Sequence, residues 1–82
     1  MTKLRQMLYL QSGKCFFCGQ DLAEEDASIE HLVAKKWGGK SDEWNQVVCH
    51  STLNHTFGAM DLRAKFAFVI KAQGKFRCPG LG

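Results

Sequence analysis

The sequence lacks most of the features that divide a chain or anchor it in a membrane. Its 82 residues include one proline, Pro79, and contain no internal repeat or low-complexity tract. No apolar run approaches the ~20 residues of a membrane-spanning helix. The N-terminus, "MTKLRQMLYL", shows no long apolar stretch followed by a small-residue cleavage site. We therefore expect a single domain over residues 1–82, located in a cytoplasm and without a membrane partner.

The sequence also lacks a strong excess of charge of either sign. Eleven lysines and arginines stand against eight acidic residues, for a net charge of +3 at pH 7. This mildly basic balance permits a nucleic-acid partner, but many ordinary domains carry as much charge. Composition therefore excludes neither an enzyme nor a binding protein.

Four cysteines are notable in so short a chain: Cys15, Cys18, Cys49 and Cys78. A domain of this size buries a limited core and often needs disulfides or a structural metal. Disulfides require an oxidising compartment. In a reducing cytoplasm, the Cys-x-x-Cys pair indicates metal binding or redox chemistry. Because no thioredoxin-like βαβ pattern accompanies the pair, we favour a structural zinc ion.

Periodicity and turn residues predict an α+β order of elements. Glycines around the cysteine pair predict a tight zinc knuckle, and Gly38-Gly39 predicts the turn of a β-hairpin. Ser51 or Thr52 is expected to cap the helix that follows the hairpin, and Gly74 to end the last helix. In order, the expected elements are a helix over 2–11, strands over 28–33 and 45–49, and helices over 50–58 and 60–72.

The last helix carries apolar residues at helical spacing, which we expect to form a buried face. Phe16 and Phe17, inside the knuckle, are also expected in the core. Trp37 and Trp44 flank the glycine pair, and packing against the small core is favoured over stacking on nucleic-acid bases. The buried face would consist of Met60, Leu62, Phe66, Val69 and Ile70.

Four polar residues have a spacing that suggests phosphodiester chemistry. Glu30 and His31 end the first expected strand, Asn45 opens the second, and Asn54 lies in the following helix. A hairpin followed by a helix can bring all four side chains into one crevice. Phosphodiester cleavage needs a divalent ion on oxygen ligands, a general base with a pKa near neutrality, and a group that orients the base.

The ordered motifs "CFFC", "EH", "GG", "N" and "LN" resemble the HNH endonuclease family over Lys14 to Lys65. The resemblance implies a small ββα-metal domain with flanking helices and a zinc knuckle. It also implies hydrolysis of DNA in a bacterium or phage-infected cell. Because no helix or strand is rich in Arg, Asn or Gln, we expect low sequence specificity. His31 would be the general base and Asn45 would orient it. Glu30 and Asn54 would hold one divalent cation, Mg²⁺, Mn²⁺ or Ni²⁺.

The sequence departs from the family pattern at the metal positions. Glu30 stands where the family usually has aspartate. Zinc-bearing members place cysteines five and eight positions after the strand asparagine, where this chain has His50 and Leu53. Because leucine cannot bind metal, Cys78 is our candidate for the missing zinc ligand. We prefer Cys49 as the fourth ligand because it completes a four-cysteine site, with His50 as its rival.

Basic residues beside the expected site are candidate contacts to the DNA backbone, although a solvated surface would use the same residue types. Two other functions stay open. A zinc-stapled nucleic-acid-binding module without catalysis would use the same fold. A redox or metal-storage protein would leave the Glu30, His31, Asn45 and Asn54 set unexplained. The candidate backbone contacts are Lys35, Lys36, Lys40 and His55.

Overall fold

The computed structural model describes residues 2–58, 60–71 and 78. Within them, two antiparallel strands and three helices form a small α+β fold, which confirms the expected fold class at that level. Short 3-10 turns precede each strand and follow the first. The helices are α1 (Lys3–Leu10), α2 (Ser51–Phe57) and α3 (Leu62–Ile70), and the strands are β1 (Ala27–His31) and β2 (Gln46–His50).

The two strands pair with Ala27 opposite His50 at one end and His31 opposite Gln46 at the other. Their ends lie within two residues of the expected strands, so the predicted hairpin is confirmed. Side chains alternate between the two faces of a sheet. Glu30 and the adjacent His31 therefore project to opposite faces of the hairpin.

One buried side chain, Asn45, closes the hairpin loop, residues 32–45. It is 0% exposed. Its Oδ1 accepts from the Val33 N–H at 2.7 Å, and its Nδ2 donates to the carbonyls of Val33 at 3.0 Å and Lys40 at 2.7 Å. A Cβ at Gly39 would lie 1.7 Å from the Val33 carbonyl oxygen, so this close approach requires glycine. The loop therefore has a fixed path.

The core lies between the helices and β2, whose five residues are all buried. Gln11, just after α1, bonds to both backbone groups of Val48: its Nε2 donates at 2.9 Å and its Oε1 accepts at 2.8 Å. The Phe57 ring meets Phe17 and Phe68 edge-on, with centroids 5.1 and 5.8 Å apart. The buried apolar cluster comprises Cys15, Leu22, Val48, Cys49, Leu53, Phe57 and Cys78.

The expected buried face of α3 is wrong in part. Phe66 is 49% exposed and Ile70 is 69% exposed, and the fully buried residue of this helix is Lys65. The reason is the orientation of α3, which points the lysine under the end of β1, where it bonds to backbone carbonyls. Phe16 is also 52% exposed, whereas Phe17 packs against Phe57.

The ends of the helices differ from the expected caps. His50, rather than Ser51 or Thr52, is the N-cap of α2, because β2 runs into the helix without an intervening loop. The α3 cap is Asp61, whose side chain accepts from the Ala64 N–H at 2.8 Å. The expected stop at Gly74 lies outside the described residues.

Replacing Asn45 with alanine should destabilise the protein by about 2–4 kcal/mol, because the buried backbone groups of the loop lose their partners. Urea denaturation would measure the free energy of unfolding. Asn54→Ala is the matched control: this side chain is only partly buried, and we expect a loss of about 1 kcal/mol. Equal losses in the two variants would contradict the role given to Asn45.

Candidate functional site

Four potential metal ligands from distant parts of the sequence come together: Cys15, Cys18, His50 and Cys78. Their ligand atoms all lie within 4.8 Å of one another. The Cys15 and Cys78 Sγ atoms are 3.6 Å apart, as are Cys18 Sγ and His50 Nδ1. Tetrahedral zinc bonds of ordinary length separate such atoms by roughly 3.6–3.8 Å. This zinc-ligand group could therefore hold a structural zinc ion.

Local backbone bonds shape the knuckle and attach it to β2. The Gly19 N–H donates to the Cys15 carbonyl at 3.0 Å, with Gly19 at φ 72°, and this closes the turn around the cysteine pair. The Phe16 N–H donates to the Val48 carbonyl at 3.1 Å. Because Val48 lies two residues before His50, this bond brings the knuckle to the end of the strand that carries the histidine.

The expectation that Cys49 completes the zinc site is corrected by this geometry, since the group contains His50 instead. Adjacent strand residues project to opposite faces. Cys49 points into the core with 0% exposure, and burial, followed by the nearby Cys15, raises the pKa of its thiol to about 12. Cys78 belongs to the zinc-ligand group, as expected from the sequence.

Glu30 and Lys65 form a buried pair beneath the end of β1. Glu30 is 5% exposed and Lys65 is 1% exposed, with Nζ 3.6 Å from Oε2. Among the described residues, this Oε2 is a buried side-chain oxygen without a hydrogen-bond partner. Burial raises the pKa of Glu30 above its usual value, and the charge of Lys65 offsets part of the rise. Lys65 Nζ also donates to the carbonyls of His31 at 2.6 Å and Leu32 at 3.2 Å.

His31 is partly buried on the opposite face of the hairpin. Its Nε2 lies 3.2 Å from Ser41 Oγ and 3.5 Å from Gln46 Nε2. A histidine with a lowered pKa is neutral at pH 7 and can accept a proton. The pKa of His31 is lowered by burial, and then by the positive charges of Lys35, Lys3 and Lys65.

The two asparagines expected at the site have different surroundings. Asn45 does not orient His31, because its side-chain hydrogen bonds go to the backbone of the hairpin loop. Asn54 Nδ2 donates to Ser28 Oγ at 2.8 Å and to the Ile29 carbonyl at 3.1 Å. Because a carbonyl oxygen can only accept a hydrogen bond, the Asn54 atom that contacts the Ile29 carbonyl is the amide nitrogen. Oδ1 is therefore the end of the side chain that faces away from these two groups. Asn54 thus lies against β1 on the Glu30 side, through Ser28.

The remaining predicted residues lie at the surface. Lys35, Lys36 and Lys40 are exposed on the hairpin loop, and His55 is exposed on α2. The residue that the sequence analysis missed is Lys65. Its signal in the sequence is a lone lysine within the apolar run 64–70, because a lysine buried with such a run requires a partner.

No family model matches the chain, and no curated protein matches it. Among the described residues, no helix has the length and apolar character required to cross a bilayer.

His50→Ala and Cys49→Ala should separate the two candidates for the fourth zinc ligand. We expect His50→Ala to lower zinc affinity by at least about tenfold, since it removes a ligand from the group. Cys49→Ala should still bind one zinc ion per chain, although it loses some core packing. Competition with a chromogenic chelator measures both affinities. Weaker binding in Cys49→Ala than in His50→Ala would contradict the assignment.

Proposed function

We propose that the protein is a metal-dependent DNA endonuclease of the HNH type, which hydrolyses phosphodiester bonds. The observation that carries the proposal is the buried Glu30 Oε2, which lacks a hydrogen-bond partner and precedes His31 at the end of β1. Burying an ionised carboxylate is costly unless a cation or hydrogen bonds compensate it. A buried carboxylate oxygen without a hydrogen-bond partner could serve as a ligand of a divalent ion.

The donor atoms fit a hard cation. The Glu30 carboxylate and Asn54 Oδ1 are both oxygens, the ligand type that Mg²⁺ and Mn²⁺ prefer. Asn54 contacts β1 at Ser28, which lies on the same face of the strand as Glu30, and α2 follows the hairpin directly. The ion, when bound, supplies positive charge that stabilises the phosphate and the leaving oxygen.

His31 is the general base in this proposal. Its lowered pKa keeps the imidazole neutral at pH 7, and water gives up a proton to it. An unprotonated Nε2 can accept this proton, and Ser41 Oγ, 3.2 Å away, can then accept a hydrogen bond from the new N–H. The bond from Lys65 to the His31 carbonyl holds the end of β1 in place.

The second candidate is a zinc-stapled nucleic-acid-binding module without catalysis. The observation that favours it is Lys65, a buried cation 3.6 Å from the oxygen that the divalent ion would bind. With Lys65 compensating its charge, Glu30 would need no metal. The projection of His31 to the other face of the hairpin is also consistent with this function.

Cleavage of supercoiled plasmid separates the two candidates. We expect the zinc-loaded protein to nick DNA when Mg²⁺, Mn²⁺ or Ni²⁺ is added, and not to nick it when these ions are omitted. His31→Ala should lower the rate by about 10²–10⁴-fold, the usual contribution of a general base. Glu30→Gln, which keeps the shape of the side chain but removes its charge, should also stop cleavage. Gel electrophoresis of the nicked and linear products measures the rate.

Glu25→Gln is the matched control, because this glutamate is exposed and lies five residues before Glu30. It should cut at the wild-type rate. Circular dichroism and zinc content should be unchanged in every variant. If His31→Ala cuts as fast as the wild type, the base is misassigned. Metal-independent retardation of DNA in a gel, without cleavage under any condition, would favour the binding module.

A further inference from the structure

The hairpin loop exposes two tryptophans, contrary to the packing expected from the sequence. Trp37 is 54% exposed and Trp44 is 67% exposed. Tryptophan is costly to leave in water, and exposed aromatic rings are enriched where proteins bind partners. The two exposed rings are therefore candidate parts of a binding surface.

The charges around the two tryptophans differ in sign. Lys35 and Lys36 precede Trp37, Lys40 follows it, and all three are exposed. The Lys36 Nζ lies 5.6 Å from the centroid of the Trp37 ring. Asp42 and Glu43, both exposed, immediately precede Trp44. Only the Trp37 half of the loop is complementary to a phosphate backbone.

The backbone that carries Trp37 is held by hydrogen bonds. The Trp37 N–H donates to the Ala34 carbonyl at 2.8 Å, and the Gly38 N–H donates to the Lys35 carbonyl at 3.0 Å. The three bonds of the Asn45 side chain fix the segment on both sides. A preordered loop loses less conformational entropy when it binds a ligand.

The Trp37 half of the loop also lies beside the candidate active site. Ser41, the residue after Lys40, has its Oγ 3.2 Å from His31 Nε2. A nucleic-acid strand lying on Trp37 and Lys40 would therefore pass near the proposed general base.

We propose that Trp37 is a stacking platform for an unpaired base of single-stranded DNA, with Lys35, Lys36 and Lys40 contacting the neighbouring phosphates. In a duplex, both faces of a base are covered by its neighbours, so only an unpaired base offers a free face to the ring. This inference rests on the proposed function, namely that the chain acts on DNA, and it names the substrate class as single-stranded or locally unpaired DNA.

Because the chain has two tryptophans, each can be observed alone. Trp44→Leu leaves Trp37 as the fluorophore, and Trp37→Leu leaves Trp44; both positions are exposed, so folding should be retained. Each zinc-loaded variant is titrated, without added Mg²⁺, Mn²⁺ or Ni²⁺, with oligothymidylate of about 12 nucleotides and with a duplex of the same length. Circular dichroism checks the fold of each variant.

The single strand should quench the fluorescence of Trp44→Leu, while that of Trp37→Leu should change little. Trp37→Leu should bind oligothymidylate about tenfold more weakly than Trp44→Leu, and the two variants should bind the duplex equally. Equal single-strand affinities, or a loss in Trp37→Leu that is as large for the duplex, would overturn the stacking role.

The plasmid assay tests the nuclease activity separately from the stacking role of Trp37. Cleavage that depends on His31, together with equal single-strand binding by the two tryptophan variants, overturns the stacking platform alone. Quenching of Trp37 by single-stranded DNA, in a protein that never cleaves, supports the platform and overturns the nuclease.

Discussion

The rest of the structure depends on the zinc-ligand group, in which four side chains lie close together: Cys15, Cys18, His50 and Cys78. The apolar core is small, and three of its seven buried members are cysteines at or beside this group. Zinc binding would close two long loops of the chain, from the knuckle to β2 and from β2 to Cys78. When no preformed site exists in the unfolded chain, the free energy of binding the metal becomes free energy of folding.

His50 connects this group to the candidate catalytic residues. It ends β2 and caps α2, so its position fixes where the helix begins and where Asn54 meets β1. From the other side, Lys65 holds the end of β1 through the carbonyl of His31. The candidate site therefore lies between two anchors, the zinc-ligand group and a buried lysine. Asn45 sets the path of the loop beyond it.

The features that could be predicted from the sequence are those with local signals. The cysteine pair, the hairpin and the helices follow from spacing, glycines and periodicity. The choice between Cys49 and His50 does not, because it depends on the face to which each strand residue points. A shift of one residue in a strand exchanges its faces. The expected strand stopped at Cys49, whereas the observed strand includes His50.

The role of Asn45 and the partners of the buried Lys65 also could not be predicted from the sequence. An asparagine at the start of a strand has the same local signature whether it bonds to an imidazole or to a loop. The three-dimensional path of residues 33–40 decides between them. Similarly, the apolar spacing of α3 is compatible with more than one buried face. The observed face is set by the partners available to Lys65 and by the contact of Phe68 with Phe57.

The most direct test of this account is a zinc titration of the metal-free protein, followed in ¹⁵N–¹H correlation spectra. The account predicts poorly dispersed amide signals without metal, and a dispersed spectrum that is complete at one equivalent of zinc. The His50 and cysteine amides should be among the signals that emerge. A dispersed spectrum in the metal-free protein, unchanged by zinc, would contradict the claim that the zinc-ligand group holds the fold together.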